Sequence, residues 1–162
     1  MKQMLKAVVG AVTIAGLLGS AGVAQAALIA GASSAAFMAN APSEAPFINR
    51  TLGRYVTNDD TVSAHNAVAD LGIVVGSGSA PIVNVYADVP SSSTLTCWAI
   101  AVHLASSNSQ APGVGWTGNP SAKQITGLVL NSGQKYALSI FCSIPPQGAF
   151  GNTKIFGASV DI

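Results

Sequence analysis

"TLTCWAIAVHL", residues 94–104, places a cysteine, a tryptophan and a histidine in one run whose side chains alternate. In an extended strand, successive residues point to opposite faces. Leu95, Cys97, Ala99, Ala101 and His103 therefore share one side, and Thr96, Trp98, Ile100, Val102 and Leu104 share the other. Both sides are apolar. Such a strand is either central and covered on both faces, or its outer face meets another molecule.

The same reading applied to "KYALSIFCSI", residues 135–144, puts Tyr136, Leu138, Ile140, Cys142 and Ile144 on a core face. Cys97 and Cys142 are the only two cysteines. In an exported chain they are expected to form a disulfide. Closing a loop of about 45 residues stabilises a fold by roughly 4 kcal/mol in the chain-entropy model, so the bond is read as a staple. A redox pair is usually spaced Cys-x-x-Cys, and a structural zinc wants four ligands. Tyr136, six residues before Cys142, is expected to pack its ring while its hydroxyl binds backbone, as tyrosines near the second cysteine of many sandwiches do.

Outward from these strands, short apolar runs recur between Gly, Pro, Ser and Asn clusters: residues 67–75, 81–89, 123–130 and 154–162, with weaker runs at 35–39 and 53–57. Helical periodicity is hard to find. The pattern predicts an all-β antiparallel sandwich, immunoglobulin-like or jelly-roll-like, with about seven to eight strands. "GSGSA" (76–80) and "PSSS" (90–93) link the strands as a meander or by crossing between sheets. The stretch "ASSNSQAPGVGWTGNPS" (105–121) reads as a long ordered loop carrying Trp116. Residues 27–49 are expected to run extended or partly disordered, ahead of a sandwich domain over 50–162. The apolar "ALIAGASSAAFMA" (27–39) could complete a neighbour's sheet by strand addition.

Residues 1–26 have the organisation of a secretory signal peptide: Lys2 and Lys6, an apolar run, and small residues at Ala24 and Ala26. Cleavage near Ala26 leaves no membrane span in the mature chain and an extracellular or periplasmic destination. Past that point, five basic and six acidic residues give a formal charge of minus one. No Lys/Arg cluster exists to neutralise phosphates, which sets nucleic acid aside. Charged residues are 8% of the chain, against about 25% in typical soluble domains, so little net charge opposes self-association.

The catalytic inventory is thin. His103 lies about 20 Å from Cys97 along the same strand, too far for a Cys/His pair. A metal site would need His65, His103 and a carboxylate from Asp59, Asp60 or Asp70 to converge. "NDD" (58–60) reads as a turn capped by its own side chains rather than a calcium loop. No Gly-x-Ser-x-Gly nucleophile elbow is present, and no catalytic residue, metal ligand or cofactor is assigned. The aromatics offer more: Trp98, Trp116, Tyr55, Tyr86 and Tyr136 are residue types that stack on the apolar face of a sugar. Trp116, flanked by glycines in a polar loop, is the one with the look of exposure, although packing against the end of the sandwich is the favoured reading for it. Trp98 is the other candidate for ligand or partner contact.

From Asn58 onward, "VNVYADV", "TLTCWAI", "YALSIFCSIP" and "KIFGASVDI" follow one another in an order that resembles a group of uncharacterised small secreted bacterial β-sandwich proteins. The resemblance implies a fold and secretion, and no activity. The expectation is a non-enzymatic secreted sandwich acting by binding or assembly, as a matrix, surface or fibre component, with self-association or a cell-surface or matrix partner. One alternative is a carbohydrate-binding module that holds a glycan with exposed aromatics. Another is a small secreted hydrolase or metal-binding protein built on His65 and His103.

Overall fold

The computed structural model describes residues 28–51, 53–118, 122–149 and 151–161. The signal peptide expected at 1–26 lies outside the described residues. Among them are twelve strands: β1 (Leu28–Ser33), β2 (Met38–Ala39), β3 (Ile48–Thr51), β4 (Tyr55–Asn58), β5 (His65–Val75), β6 (Ile82–Asp88), β7 (Thr94–His103), β8 (Ser109–Gln110), β9 (Gly113–Thr117), β10 (Lys123–Ile125), β11 (Lys135–Ile144) and β12 (Lys154–Asp161). They form two six-stranded antiparallel sheets. The front sheet runs β2-β5-β11-β7, with β8 and β9 both along the outer edge of β7. The back sheet runs β10-β6-β12-β4-β3, with β1 also on β12.

From β5 to β7, and again from β10 to β12, the chain changes sheet at every connection, so the short Gly/Ser/Pro links are crossings rather than hairpins. That alternation gives a jelly-roll-like sandwich. The inner faces follow period two. Leu95, Cys97, Ala99 and Ala101 of β7, and Tyr136, Leu138, Ile140, Cys142 and Ile144 of β11, are all buried, as the alternation required. Val83, Val85, Ile155 and Val160 meet them from the back sheet. Cys97 and Cys142 are direct cross-strand partners and form the disulfide, their Cα atoms 4.1 Å apart. The staple therefore joins neighbours within the front sheet and does not tie one sheet to the other.

Four elements differ from the sequence reading. The strands number twelve rather than seven or eight because several edge pieces are only two to five residues long. The segment over 27–49, expected to run extended or partly disordered, carries β1, β2 and a 3-10 turn at Ser34–Ala36; β1 pairs its own chain's β12 and β2 pairs β5, so both add to this chain's own sheets. The long loop contains β8 and β9. The run expected over 123–130 pairs with β6 only through Ile125. Gly127 (φ +97°) then turns the chain into a conformation that residues with a Cβ rarely adopt. Leu128 and Leu130 still reach the core, while the Gln110 side-chain amide pairs with both Val129 N–H and Val129 C=O at 2.8 Å, standing in for a strand partner.

Candidate binding face

The outer face of β7 is not covered by a second layer. Thr96, Trp98, Ile100 and Val102 form part of the exposed surface of the front sheet, each half-buried by its neighbours. The register groups this surface into rows running across the strands. One row is Met38 (β2), Val68 (β5), Phe141 (β11), Trp98 (β7) and the bare backbone of Gly113 (β9). On one side lies a polar row of Asn66, Ser143, Thr96 and Gly115; on the other, Asp70, Ser139 and Ile100. Beyond that row, Ile73 is 67% exposed, and Met38 at the sheet edge is 58% exposed.

Trp98 owes its position to Gly113. A Cβ added to Gly113 would lie 2.3 Å from Trp98 Cδ1 and 2.5 Å from Nε1, so the indole occupies the space where any other residue would place a side chain. The ring lies down over β9 and meets Phe141 on its other flank, with centroids 5.5 Å apart and planes inclined by 58°. Such a tilted pair is a favourable aromatic geometry. The result is an apolar ledge bordered on both long sides by hydroxyl, amide and carboxylate groups. A pyranose has the matching chemistry: an apolar C–H face and a rim of hydroxyls.

The structure divides the other expectations. Trp116 takes the packing role and not that of a ligand contact: it is only 7% exposed, pairs with Leu95 and packs in the core. In "GVGWT", Val114 and Trp116 point inward while Gly113 and Gly115 face out. The alternation was present but hidden, because glycine in a sequence reads as loop. Tyr136 behaves as expected: its ring is buried, and its hydroxyl accepts from Asn131 N–H at 3.1 Å and donates to Gln134 Oε1 at 3.0 Å.

The two histidines do not converge. His103 pairs with Tyr136 and His65 with Ile144, eight residues apart on β11, or roughly 26 Å at the rise of a strand. Among the described residues no three His, Cys, Asp or Glu side chains group as metal ligands, so the arrangement proposed for a hydrolase or metal protein is not formed. His103 Nδ1 instead lies 2.6 Å from Ser106 Oγ and accepts from Ser106 N–H. His65 stacks on Phe47, centroids 4.2 Å apart, and donates from Nε2 to Asp60 Oδ2 at 2.8 Å. The NDD segment is the self-capped turn expected: Asn58 Oδ1 accepts from Asp60 N–H, and Asp60 Oδ1 from Val62 N–H.

Those bonds hold the Asp60 carboxyl below the ordinary carboxylate range, chiefly through His65 and then through Val62 N–H. A carboxyl lowered in the folded state contributes stability that is complete above its unfolded value near pH 4 and is lost as pH falls through the folded value. Asp60→Asn is therefore expected to flatten the loss of stability below about pH 4. Denaturant midpoints measured from pH 6 to pH 2 check this, and parallel curves for the two proteins would contradict it.

Neither a protein-family model nor a curated protein sequence matches the chain. Solved structures do. The chain is similar in fold to a xylan-binding module CBM15, with a TM-score of 0.50 at 12% identity over 85% of this chain and 97% of that one. It also aligns with the Clostridium thermocellum endo-1,4-beta-D-xylanase CBM22-1–GH10 structure (TM-score 0.49, 9% identity, 82% of this chain and 28% of that one). A further match is a carbohydrate-binding module from Cellvibrio mixtus lichenase 5A (TM-score 0.45, 9% identity, 84% and 98%). At these identities the first of them shows a shared β-sandwich.

Proposed function

We propose that this protein is a secreted, non-catalytic carbohydrate-binding sandwich, and that sugar rings stack on Trp98 and Phe141 of the front sheet. The observation that carries the reading is the indole laid in the space left by Gly113, beside Phe141 and between two polar rows. Aromatic residues anchor a ligand well when their rotamers are fixed beforehand, because less motion is lost on binding. The shared fold with a xylan-binding module supports the ligand class. The cross-strand disulfide and the signal-like leader support export.

The test is direct. Titrating uncharged oligosaccharides such as xylohexaose, cellotriose and galactotriose should shift the fluorescence of Trp98 and leave the buried Trp116 silent, so Trp98→Phe removes most of the response. Trp98→Ala is expected to weaken binding by about 30-fold, the equivalent of roughly 2 kcal/mol at an aromatic anchor. Gly113→Val should produce a comparable loss without touching the indole chemically, by pushing the ring off the ledge. Unchanged affinity in both variants would remove the reading.

Assembly remains the second reading, favoured by the exposure of Ile73 and Met38 on the same surface. It predicts that self-association at high concentration, seen by size exclusion, is abolished by Ile73→Lys and is indifferent to added sugar.

A further inference from the structure

The sequence singled out Tyr55 and Tyr86 as stacking residues, and the front-sheet ledge uses neither. Both lie on the outer face of the opposite sheet. The core positions of β12 and β6 are Ile155, Ala158 and Val160, and Val83, Val85 and Ala87. The intervening Phe156 and Tyr86 therefore point out, and they are 45% and 40% exposed. Phe156 sits in the irregularity of β12 between Ile155 and Gly157, the latter paired with Tyr86. Tyr55 of β4 completes the line from the other side: its ring meets Phe156 edge-on at 6.4 Å, and Lys154 Nζ lies over it at 5.4 Å from the centroid. Tyr55 and Phe156 thus form a ring pair, and Tyr86 projects from the next strand on the same outer face, so aromatic side chains come from three adjacent strands, a span of about 10 Å at normal strand spacing.

Polar groups flank this row as they flank the front ledge. Tyr86 Oη lies 3.3 Å from Ser159 Oγ. Asn84, the cross-strand partner of Ser159, donates from Nδ2 to Asp161 Oδ2 at 2.7 Å. Gly31 of β1 pairs with Ser159 on the far side, leaving backbone in place of a side chain. Lys154 is paired in register with Asp88, so the charges beside the rings are of both signs. Aromatic side chains edged by hydroxyls and a carboxylate, with the Asn84 amide buried beneath and holding Asp161, and with no excess charge of one sign, fit an uncharged glycan better than an anionic polymer.

We infer that the back sheet carries a second glycan-binding face, formed by Tyr55, Phe156 and Tyr86, which makes the protein a bivalent connector of polysaccharide chains. The ligand class rests on the reading proposed above, but the location does not, since the two faces share no residue and look out from opposite sides of the sandwich. Two outward-facing sites on one rigid body cannot both grip one short oligosaccharide. They can grip two chains, which unites sugar binding with a place in an extracellular matrix.

Titration with xylohexaose, cellotriose or galactotriose, followed residue by residue by NMR, is expected to perturb two separate surfaces and to saturate at two ligands per protein. The corresponding soluble polysaccharide should precipitate or gel with the wild type, and with neither Trp98→Ala nor the double variant Tyr86→Ala/Phe156→Ala, although each still binds through its remaining face. Thermal melting checks that the variants fold. If the double variant matches the wild type in stoichiometry and crosslinking, the second face is overturned and the front ledge stands. If binding survives Trp98→Ala unchanged and is lost in the double variant, the back face is supported as a site and the front ledge fails. Absence of binding by the wild type to every probe overturns both.

Discussion

Replacing both Cys97 and Cys142 by alanine is expected to lower the free energy of unfolding by roughly 4 kcal/mol. The estimate follows from the 45-residue separation of the two cysteines, which fixes how much the bond restricts the unfolded chain. At typical unfolding entropies for a domain of this size, the melting temperature should fall by about 12–16 °C. The native ladder gives no reason for the sheet to come apart, because β7 and β11 still pair from Tyr136 to Ser143 on each side of the missing bond. The reduced protein should therefore fold to the same sandwich and keep its proposed binding faces below its lowered melting point. Two readouts separate this account from simple loss of core packing. The denaturant m-value should rise, since an uncrosslinked unfolded chain exposes more surface, and the sugar affinity at low temperature should not change. A variant whose m-value and midpoint equal those of the wild type would show that the bond constrains nothing.

Asn58→Ala is expected to cost about 3 kcal/mol, because it strands buried groups rather than merely deleting a contact. Asn58 is 1% exposed. Its Nδ2 lies 2.8 Å from Ser63 O, 3.1 Å from Ile144 O and 3.2 Å from Pro145 O, while its Oδ1 accepts from Asp60 N–H. One amide thereby fastens the 58–63 turn to the end of β11, 86 residues away in sequence. Asn58→Asp should be worse than a neutral isostere suggests, since it turns a carboxylate oxygen toward carbonyl oxygens, and its penalty should shrink in acid as that carboxyl protonates. Chemical denaturation of the three proteins at pH 7 and pH 4 measures both effects. A loss below about 0.5 kcal/mol, the range of ordinary surface changes, would mean that water satisfies those carbonyls instead.

What the sequence made legible, and what it hid, divides along physical lines. The long strands announced themselves because one buried face and one half-exposed face enforce alternation over eight or more residues, as in β7 and β11. The cysteine pairing followed from there being only two. Short strands were faint: the weak runs at 35–39 and 53–57 hold β2 and most of β4, but β1 is built from Gly, Ala and Ser in its second half and β9 alternates glycine with Val114 and Trp116, so neither shows the β-branched and aromatic run that marks a strand. The apparent exposure of Trp116 in the sequence had the same origin. Strand order was also out of reach, since it depends on which sheet each crossing enters, and Ser/Gly links do not encode that. The aromatic ledge was half legible. Alternation placed Trp98 opposite to Cys97 on its strand, but only the register with β11 and β9 could show that Phe141 and an empty glycine position lie beside it.

That register gives the disulfide a meaning beyond stability. Because side chains in a strand alternate, a slip of one residue between β7 and β11 would exchange their inner and outer sets entirely. Cys97 and Cys142 exclude every such slip, and the residues immediately next to them are Trp98 and Phe141. The covalent bond in the interior thus acts as an alignment pin for the exterior: wherever it closes, the two aromatic rings on the far side of the backbone have already been set abreast.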